Sequence, residues 1–343
     1  MNKKLVFTGG HHTSAMVVAL ELQKKGWEIV WFGHRHSMWG DQSDSAEYQD
    51  VTATGIKFYD LKAGKFYRTY NPLKLIRIPY GFIQALLLLL LQKPNGIVSF
   101  GGYLAVPTVI CGWLLGIKSI THEQTVTTGW ANKLIANFVS KVAVTWPESL
   151  KFYRKDKSIL VGLPIRTEIS SSKINKNSRP TIYITGGKQG AHVINEVIFA
   201  ALSELTKSYN VIHQTGHSDL EKSKLQKPKN YTSFDFDSRN AVAALHQADI
   251  VVSRAGAHTV YELGLLGKKC VLIPIPWVSH HEQQANAEIL QKAGLAVILP
   301  EVRLTEESLL GAISAARKLT PNPLPLPLDA AAKMVQLVEE QFA

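Results

Sequence analysis

A strand that ends in Thr-Gly-Gly and leads into a helix occurs twice in this chain, and this repeat constrains the fold more than any other feature. The two threonines, Thr8 and Thr185, are 177 positions apart in a chain of 343 residues, about one domain length. Around each copy, short apolar strands alternate with helical segments, a pattern typical of a parallel sheet with helices on both faces. We therefore expect an α/β fold of two doubly wound, Rossmann-like domains facing a cleft.

Composition places the domain boundaries. Residues 167–180 are rich in Ser, Asn and Lys and predict a linker. The N-terminal domain then covers 1–166 and the C-terminal domain covers 181–326, and a Pro-rich stretch leads into a final helix within 327–343. The chain has only two cysteines, too few for a disulfide framework or a thiolate metal cluster, which favours a reducing cytoplasm.

Positive charge is concentrated in the first half of the chain. The whole chain has 38 Lys and Arg against 27 Asp and Glu, and residues 1–166 hold 20 of the former and 10 of the latter. No acidic residue lies between Asp60 and Glu123. This imbalance indicates a polyanionic partner, such as nucleic acid, phosphate or an anionic membrane, or a soluble protein with a basic surface.

A leucine-rich segment lies within that basic region. Residues 82–91 are apolar almost throughout, but they form only about half of a bilayer-spanning helix. Residues 73–80, just before them, interleave Lys74 and Arg77 with apolar side chains. The segment predicts either a buried core helix or a helix that lies in a membrane interface. The N-terminus lacks the long apolar region of a signal peptide.

The first glycine turn places two histidines at the start of a helix. Gly9 and Gly10 let backbone N–H groups approach an anion, and the following helix N-terminus favours negative charge. The turn lacks the GxGxxG spacing of dinucleotide-binding proteins. His11 or His12 is then placed as a general base or substrate contact, or caps the turn structurally.

The second glycine turn, residues 185–191, suits a diphosphate. Its backbone offers donors, Lys188 supplies a point charge, and Gln189 and Gly190 complete the turn. It lacks the GxxxxGK[ST] spacing of nucleotide triphosphatases, which argues against ATP hydrolysis.

In a third turn, residues 253–262, a helix again begins directly after a strand. The backbone N–H groups of its first residues, Ala257, His258 and Thr259, can donate to a phosphate. Glu262 lies about one turn further on, where a carboxylate can accept hydrogen bonds from two ribose hydroxyls or can simply face solvent. Further along, Gln283 and Asn286 carry carboxamides suited to sugar hydroxyls. The adjacent His280 and His281 lack the i, i+4 spacing of a helical metal pair.

Two more segments, residues 100–107 and 122–125, are expected at strand ends facing the cleft. In this order, these segments resemble the MurG-type glycosyltransferases of family 28 over nearly the whole chain. The resemblance rests on Phe100-Gly-Gly-Tyr103, His122-Glu-Gln124 with Asn132-Lys133, Gly162-Leu-Pro-Ile-Arg166, and residues 186–191, 253–262 and 283–287.

The resemblance implies a GT-B fold and transfer of N-acetylglucosamine, with inversion, from UDP-GlcNAc to a polyprenyl-diphosphate-linked muramoyl-pentapeptide in peptidoglycan synthesis. It implies His11 and Glu123 as catalytic residues and His12 and Tyr103 on the acceptor side. The donor-binding residues that it implies are Gly9, Gly10, Thr125, Arg166, Lys188, Gln189, Gly190, Ala257, His258, Thr259, Glu262, Gln283 and Asn286. Compared with the family, the first glycine run is shorter, Lys188 replaces a usual Ser, and Thr125 replaces a usual Asn.

The resemblance also implies peripheral attachment to the cytoplasmic face of the plasma membrane, through residues 62–93 on an anionic lipid surface. We expect no metal, no organic cofactor and no nucleic-acid partner. The alternatives are a GT-B transferase with another lipid acceptor, a UDP-GlcNAc 2-epimerase, or a non-catalytic sugar-nucleotide-binding subunit. The basic leucine-rich segment argues against the epimerase.

Overall fold

The computed structural model describes residues 3–36, 43–64, 77–166, 169, 178–277, 282–322 and 324–343. It divides into two compact units, Met1–Ile165 with Asp329–Ala343, and Arg166–Leu328. Most of the predicted linker 167–180 lies outside the described residues.

A seven-stranded sheet of order β3-β2-β1-β4-β5-β6-β7 forms the first unit, and every strand pair in it is parallel. Its strands are β1 Lys4–Thr8, β2 Glu28–Gly33, β3 Lys57–Asp60, β4 Gly96–Ser99, β5 Ser119–Glu123, β6 Lys141–Val144 and β7 Ser158–Leu160. Its helices before the second unit are α1 His12–Lys24, α2 Ala46–Thr52, α3 Arg77–Gln92, α4 Ala105–Leu114 and α5 Trp130–Ile135.

The two faces of this sheet bury different apolar clusters. Leu5 and Phe7 point to one face and Val6 to the other, as the alternation of a strand requires. Because both faces of the sheet are covered, β1 is a nearly continuous run of apolar residues, as expected of a buried parallel strand.

A six-stranded parallel sheet of order β10-β9-β8-β11-β12-β13 forms the second unit. Its strands are β8 Thr181–Thr185, β9 Asn210–Gln214, β10 Tyr231–Phe234, β11 Ile250–Ser253, β12 Lys269–Leu272 and β13 Ala296–Ile298. Its helices are α6 His192–Ser208, α7 Leu220–Lys224, α8 Ser238–Gln247, α9 Ala257–Leu265, α10 Glu282–Lys292 and α11 Glu306–Arg317.

The last helix, α12 (Ala330–Phe342), belongs to the first unit. It packs beside α1, where Lys25 and Glu339 form an ion pair of 2.6 Å. At its end the Phe342 ring lies against Gly96 so closely that a Cβ there would come within 2.3 Å of the ring. The C-terminus therefore completes one face of the first sheet.

The leucine-rich helix α3 has one buried and one exposed face, and both faces are apolar. Ala85 and Leu89 are buried on the first sheet, whereas Ile83, Leu87 and Leu91 are 58%, 60% and 68% exposed. Within the described residues, no helix has both the length and the apolar character to cross a membrane.

Both sheets have the winding of a Rossmann fold. In the first, strand order reverses between β1 and β4, and in the second it reverses between β8 and β11. Ligands of such sheets bind beyond the carboxyl ends of the strands at this reversal. The predicted α/β fold of two doubly wound sheets is confirmed, and the glycine turns found in the sequence lie at these two positions.

Candidate active site

The loops after β1 and β4 meet backbone to backbone. The Gly10 N–H donates to the Gly101 carbonyl at 2.9 Å. A Cβ on Gly9 would lie 2.7 Å from the carbonyl carbon of Phe100, so no larger residue fits there without a shift. Gly101 and Gly102 have φ of 69° and 78°, which favours glycine. The first reversal point is thus built from two interlocked glycine turns.

His11 directly follows this contact as the N-cap residue of α1. Removal of the half-buried ring from water, with a smaller effect of neighbouring His12, lowers the pKa of His11 to about 4. The ring is therefore neutral at pH 7 and able to accept a proton. His12, the next residue, places its Nε2 3.0 Å from an Asp50 carboxylate oxygen in α2.

Glu123 ends β5 as a buried carboxylate, only 2% exposed. Four donor groups surround it. The Thr125 N–H and hydroxyl lie 3.0 and 2.9 Å from Oε1, and the Asn132 amide and Tyr153 hydroxyl lie 2.8 and 2.9 Å from Oε2. Burial raises the pKa of Glu123, and these hydrogen bonds oppose the rise. Thr125, predicted to contact the donor, is thus held by Glu123.

Tyr103 and His122 lie in the same region of the first unit. The Tyr103 ring lies 5.6 Å from that of His34, and burial, with the charge of Glu47, raises the pKa of Tyr103 to about 12. His122 is fully buried and donates from Nε2 to the Gly162 carbonyl at 2.9 Å. Burial lowers the pKa of His122 to about 4. Both side chains are therefore uncharged at neutral pH.

The second glycine turn, after β8, is as tight as the first. A Cβ on Gly190 would lie 1.9 Å from the Thr215 carbonyl oxygen, and one on Gly216 would lie 2.2 Å from that of Gln189. The Gln214 amide donates to the Gly187 carbonyl at 2.8 Å. The turn therefore rests on the end of β9, while the Lys188 ammonium lies 5.6 Å from the centre of the Phe236 ring.

Sequence reasoning missed the buried polar network beneath this turn. The Asn195 amide donates to the Thr215 carbonyl at 2.9 Å and to Asp219 at 2.7 Å, and its oxygen lies 3.0 Å from His213 Nε2. Asn195 is fully buried in the first turns of α6. A polar residue between Ile194 and Ile198, on the apolar face of a helix, was the signal that could have revealed it.

The third turn leads from β11 into α9, with Gly256 as N-cap and Ala257, His258 and Thr259 in the first turn. Arg254, inside the turn, is not directed to a ligand: it pairs with Glu301 and donates to the Ile273 carbonyl. The helix start therefore presents backbone N–H groups.

Glu262 lies one turn into α9. Burial raises the pKa of Glu262 to about 7, and the positive charge of Arg166 opposes the rise. Both residues belong to the second unit, so the structure brings together these two predicted donor contacts.

The two carboxamides of α10 support neighbouring turns. Gln283 Oε1 accepts from the Ile275 N–H at 3.1 Å, and the Asn286 amide donates to the Ala255 carbonyl at 3.2 Å. Asn286 is fully buried. The predicted His280 and His281 lie outside the described residues.

Within the described ranges, one cluster has the spacing of metal ligands, namely His192, Glu196 and Asp219. Lys222 already holds Glu196, with its ammonium 2.6 Å from both carboxylate oxygens. None of these four residues was predicted as a substrate contact.

Two family models cover most of the chain. Residues 7–144 match the glycosyltransferase family 28 N-terminal domain, and residues 181–341 match the family 28 C-terminal domain.

The curated relatives match over nearly their full length. A Clostridium tetani protein is 33% identical over 90% of this chain and 88% of its own length, and a Bacillus cereus protein is 35% identical over 90% of each. The first is named UDP-N-acetylglucosamine--N-acetylmuramyl-(pentapeptide) pyrophosphoryl-undecaprenol N-acetylglucosamine transferase, and the second carries the same name with the suffix 2.

Solved structures share the fold. The crystal structure of Acinetobacter baumannii MurG aligns with a TM-score of 0.74 at 24% identity, over 98% of this chain and 99% of that one. The UDP-GlcNAc 2-epimerase of Neisseria meningitidis aligns with a TM-score of 0.63 at 14% identity, over 98% and 99%. With two parallel doubly wound sheets, both family models and full-length relatives above 30% identity, the chain belongs to glycosyltransferase family 28, in its MurG-type branch.

Proposed function

We propose that this chain transfers N-acetylglucosamine from UDP-GlcNAc to a hydroxyl of a polyprenyl-diphosphate-linked muramoyl-pentapeptide in peptidoglycan synthesis. The observation that carries the proposal is the match to transferases of that name over about 90% of both chains. The two glycine turns at the reversal points of two parallel sheets agree with it, because they suit one phosphate-bearing substrate in each unit.

His11 is the proposed base. Its neutral ring at the start of α1 accepts the proton of the acceptor hydroxyl while the hydroxyl oxygen bonds to the anomeric carbon of the sugar. The bond from that carbon to the phosphate oxygen breaks, and UDP leaves with the electron pair. A single displacement of this kind inverts the anomeric centre, from an α-linked donor to a β-linked product.

The second unit is proposed to hold the donor. Backbone N–H groups of the 186–191 turn and of the α9 N-terminus, with Lys188, stabilise the diphosphate as its charge grows. Glu262 accepts from the ribose hydroxyls, and Arg166 lies close enough to lower the pKa of that carboxyl. These groups supply the charge stabilisation without a metal, so we expect transfer to continue in EDTA.

The first unit is proposed to rest on an anionic lipid surface at the cytoplasmic face of the membrane. Helices α3 and α4 pack together on one face of the first sheet and expose large apolar side chains. Those side chains are Tyr80, Ile83, Leu87, Leu90, Leu91, Trp113 and Leu114. Exposed Lys62, Lys93 and Lys118 lie in the same part of the chain. Apolar side chains flanked by lysines suit an interface with anionic lipid. Residues 65–76 of the predicted 62–93 region lie outside the described residues.

The test is incubation with UDP-GlcNAc labelled in the sugar, with and without a polyprenyl-diphospho-muramoyl-pentapeptide, in EDTA. We expect label in the lipid phase and one UDP released per label transferred. UDP-N-acetylmannosamine, or free N-acetylmannosamine with UDP, formed without acceptor would identify an epimerase instead. Transfer only to a different polyprenyl acceptor would overturn the acceptor assignment. Protection against thermal unfolding with no turnover would identify a binding subunit.

A further inference from the structure

The buried Glu123 carboxylate has hydrogen-bond donors around both of its oxygens. Its two oxygens face four donor groups from Thr125, Asn132 and Tyr153, at 2.8 to 3.0 Å. Oε2 accepts from both the Asn132 amide and the Tyr153 hydroxyl, and Oε1 accepts from the Thr125 N–H, while the Thr125 hydroxyl also lies within hydrogen-bond distance of the Thr127 carbonyl. At 2% exposure, this carboxylate has no open side for a reacting hydroxyl.

Asn132 connects Glu123 to the loop after β4. Because its amide nitrogen donates to Glu123, the orientation of the amide plane is fixed. The plane lies against Gly101, where a Cβ would come within 2.6 Å of Asn132 Oδ1 and 2.7 Å of Nδ2. Gly101 has a φ of 69°, so this contact faces a turn that already favours glycine.

Gly101 connects in turn to the residue before His11. Its carbonyl accepts from the Gly10 N–H at 2.9 Å, and His11 follows as the N-cap of α1. A continuous path of contacts therefore leads from the Glu123 carboxylate through Asn132, Gly101 and Gly10 to His11.

We propose that Glu123 is a positioning residue that acts through Asn132 and the Gly101–Gly10 bond to fix the loop carrying His11, and takes no part in proton transfer. This inference rests on the proposed function for its kinetic readout only. Such a path matters because a base displaced by about 1 Å loses much of its rate advantage.

The experiment compares Glu123→Gln and Asn132→Ala with Tyr153→Phe, which removes one donor from Glu123 but leaves the Asn132 amide and its contact with Gly101 in place. The structural readout is hydrogen exchange of the Gly10 amide, which needs no turnover. We expect exchange at least tenfold faster in the first two variants and less than threefold faster in Tyr153→Phe. For transfer, we expect kcat to fall at least tenfold with KM for UDP-GlcNAc within twofold in the first two variants.

The pH dependence of kcat separates positioning from direct catalysis. Both Glu123→Gln and Asn132→Ala should lower kcat while the pH profile keeps its shape. A titration limb lost in Glu123→Gln and kept in Asn132→Ala would overturn the proposal, because Glu123 would then act on the reacting atoms. Unchanged Gly10 exchange in both variants would also overturn it.

If Glu123→Gln does not fold, a second pair of variants tests the path from Asn132 through Gly101 to Gly10. Gly101→Ala directs a Cβ into the Asn132 amide, and Asn132→Ala removes that amide. The double variant should exchange the Gly10 amide more slowly than Gly101→Ala alone, and additive effects would overturn the path. If the wild-type protein transfers no sugar, the proposed function fails, and the exchange measurements still decide the role of Glu123.

Discussion

The backbone N–H of Gly10 donates to the carbonyl of Gly101 over 2.9 Å, which joins the loops after β1 and β4 directly before His11. No side chain takes part in this bond, so it sets the path of the main chain into α1. The histidine proposed as base therefore starts from a fixed backbone position.

His11→Ala should lower kcat by about 10²- to 10⁴-fold, the usual contribution of a general base. Affinity for UDP-GlcNAc should stay within twofold, because the proposed donor contacts of the second unit are unchanged. Since the pKa of His11 is about 4, the base is neutral from pH 8 down to pH 6, and its protonation should not reduce kcat in that range. Steady-state kinetics with calorimetry of donor binding measure both effects.

His12→Ala is the matched control for that change. It removes a ring held 3.0 Å from Asp50 and leaves His11 in place. We expect His12→Ala to lower kcat less than His11→Ala does. A larger loss in His12→Ala than in His11→Ala would assign the base to His12, with Asp50 orienting it.

Gly190→Ala should disrupt donor binding, whereas Gly187→Ala should not. A Cβ on Gly190 would meet the Thr215 carbonyl oxygen at 1.9 Å, but one on Gly187 meets nothing within 4 Å. Both glycines have positive φ, 78° and 86°, so each alanine carries the same conformational cost of about 1–2 kcal/mol. The difference between the variants therefore isolates the contact with Thr215, directly after β9.

Calorimetry with UDP-GlcNAc and thermal unfolding measure this difference. We expect Gly190→Ala to bind the donor at least tenfold more weakly than Gly187→Ala and to unfold at a lower temperature. Equal affinities would mean that the turn does not need its close approach to Thr215 in order to bind the donor.

The strands and glycine turns were predictable because each uses a local signal. An apolar run followed by Thr-Gly-Gly marks a buried parallel strand and its turn without reference to any distant residue. The parallel sheets and their reversal points follow from the alternation of strands and helices, and the structure confirms them.

The polar networks under the turns were not predictable, because they depend on residues distant in sequence. Asn195 meets Thr215 and Asp219 only once α6 lies on β9, and Glu123 meets Tyr153 across 30 positions. Likewise, the apolar face of α12 does not reveal in sequence that Phe342 packs against Gly96.

For α3 the sequence left two alternatives open, a core helix and an interfacial helix, because its leucines continue around the whole helix. The roles of the individual site residues stay predictions.

Donor binding should weaken as pH falls below 7. Burial raises the pKa of Glu262 to about 7, so the carboxylate is largely protonated at pH 6 and loses accepting capacity for the ribose hydroxyls. Because the donor binds the ionised form, the complex holds fewer protons than the free protein, and affinity rises with pH up to about 7 and then levels off. Below that point we expect about a tenfold loss per pH unit.

Glu262→Gln tests the source of this dependence. Its amide does not titrate, so affinity for UDP-GlcNAc should become flat from pH 6 to pH 8 and lie about tenfold below the wild-type value at pH 8. Calorimetry across that range measures both features. A pH dependence that survives in Glu262→Gln would assign it to another group.

The exposed face of α3 should determine binding to anionic vesicles. Leu87 and Leu91 are 60% and 68% exposed, and transfer of both side chains from water into the lipid interface should favour binding by a few kcal/mol. We therefore expect the double change Leu87→Ser and Leu91→Ser to reduce sedimentation with phosphatidylglycerol vesicles at least tenfold. Leu225→Ser is the matched control, because this leucine is 76% exposed but lies in the second unit, and it should leave sedimentation within twofold of wild type.

Vesicles of different lipid composition separate the contribution of charge to membrane binding from the contribution of apolar burial. Replacement of exposed Lys93 and Lys118 by Gln should weaken binding to phosphatidylglycerol vesicles and leave the weaker binding to phosphatidylcholine vesicles unchanged. Raising the salt from 0.1 to 0.5 M should have the same selective effect, since it screens the charges and leaves apolar burial intact. Equal sedimentation of wild type and the leucine double variant at every salt concentration would show that α3 does not face the membrane, and its exposed leucines would then need another partner.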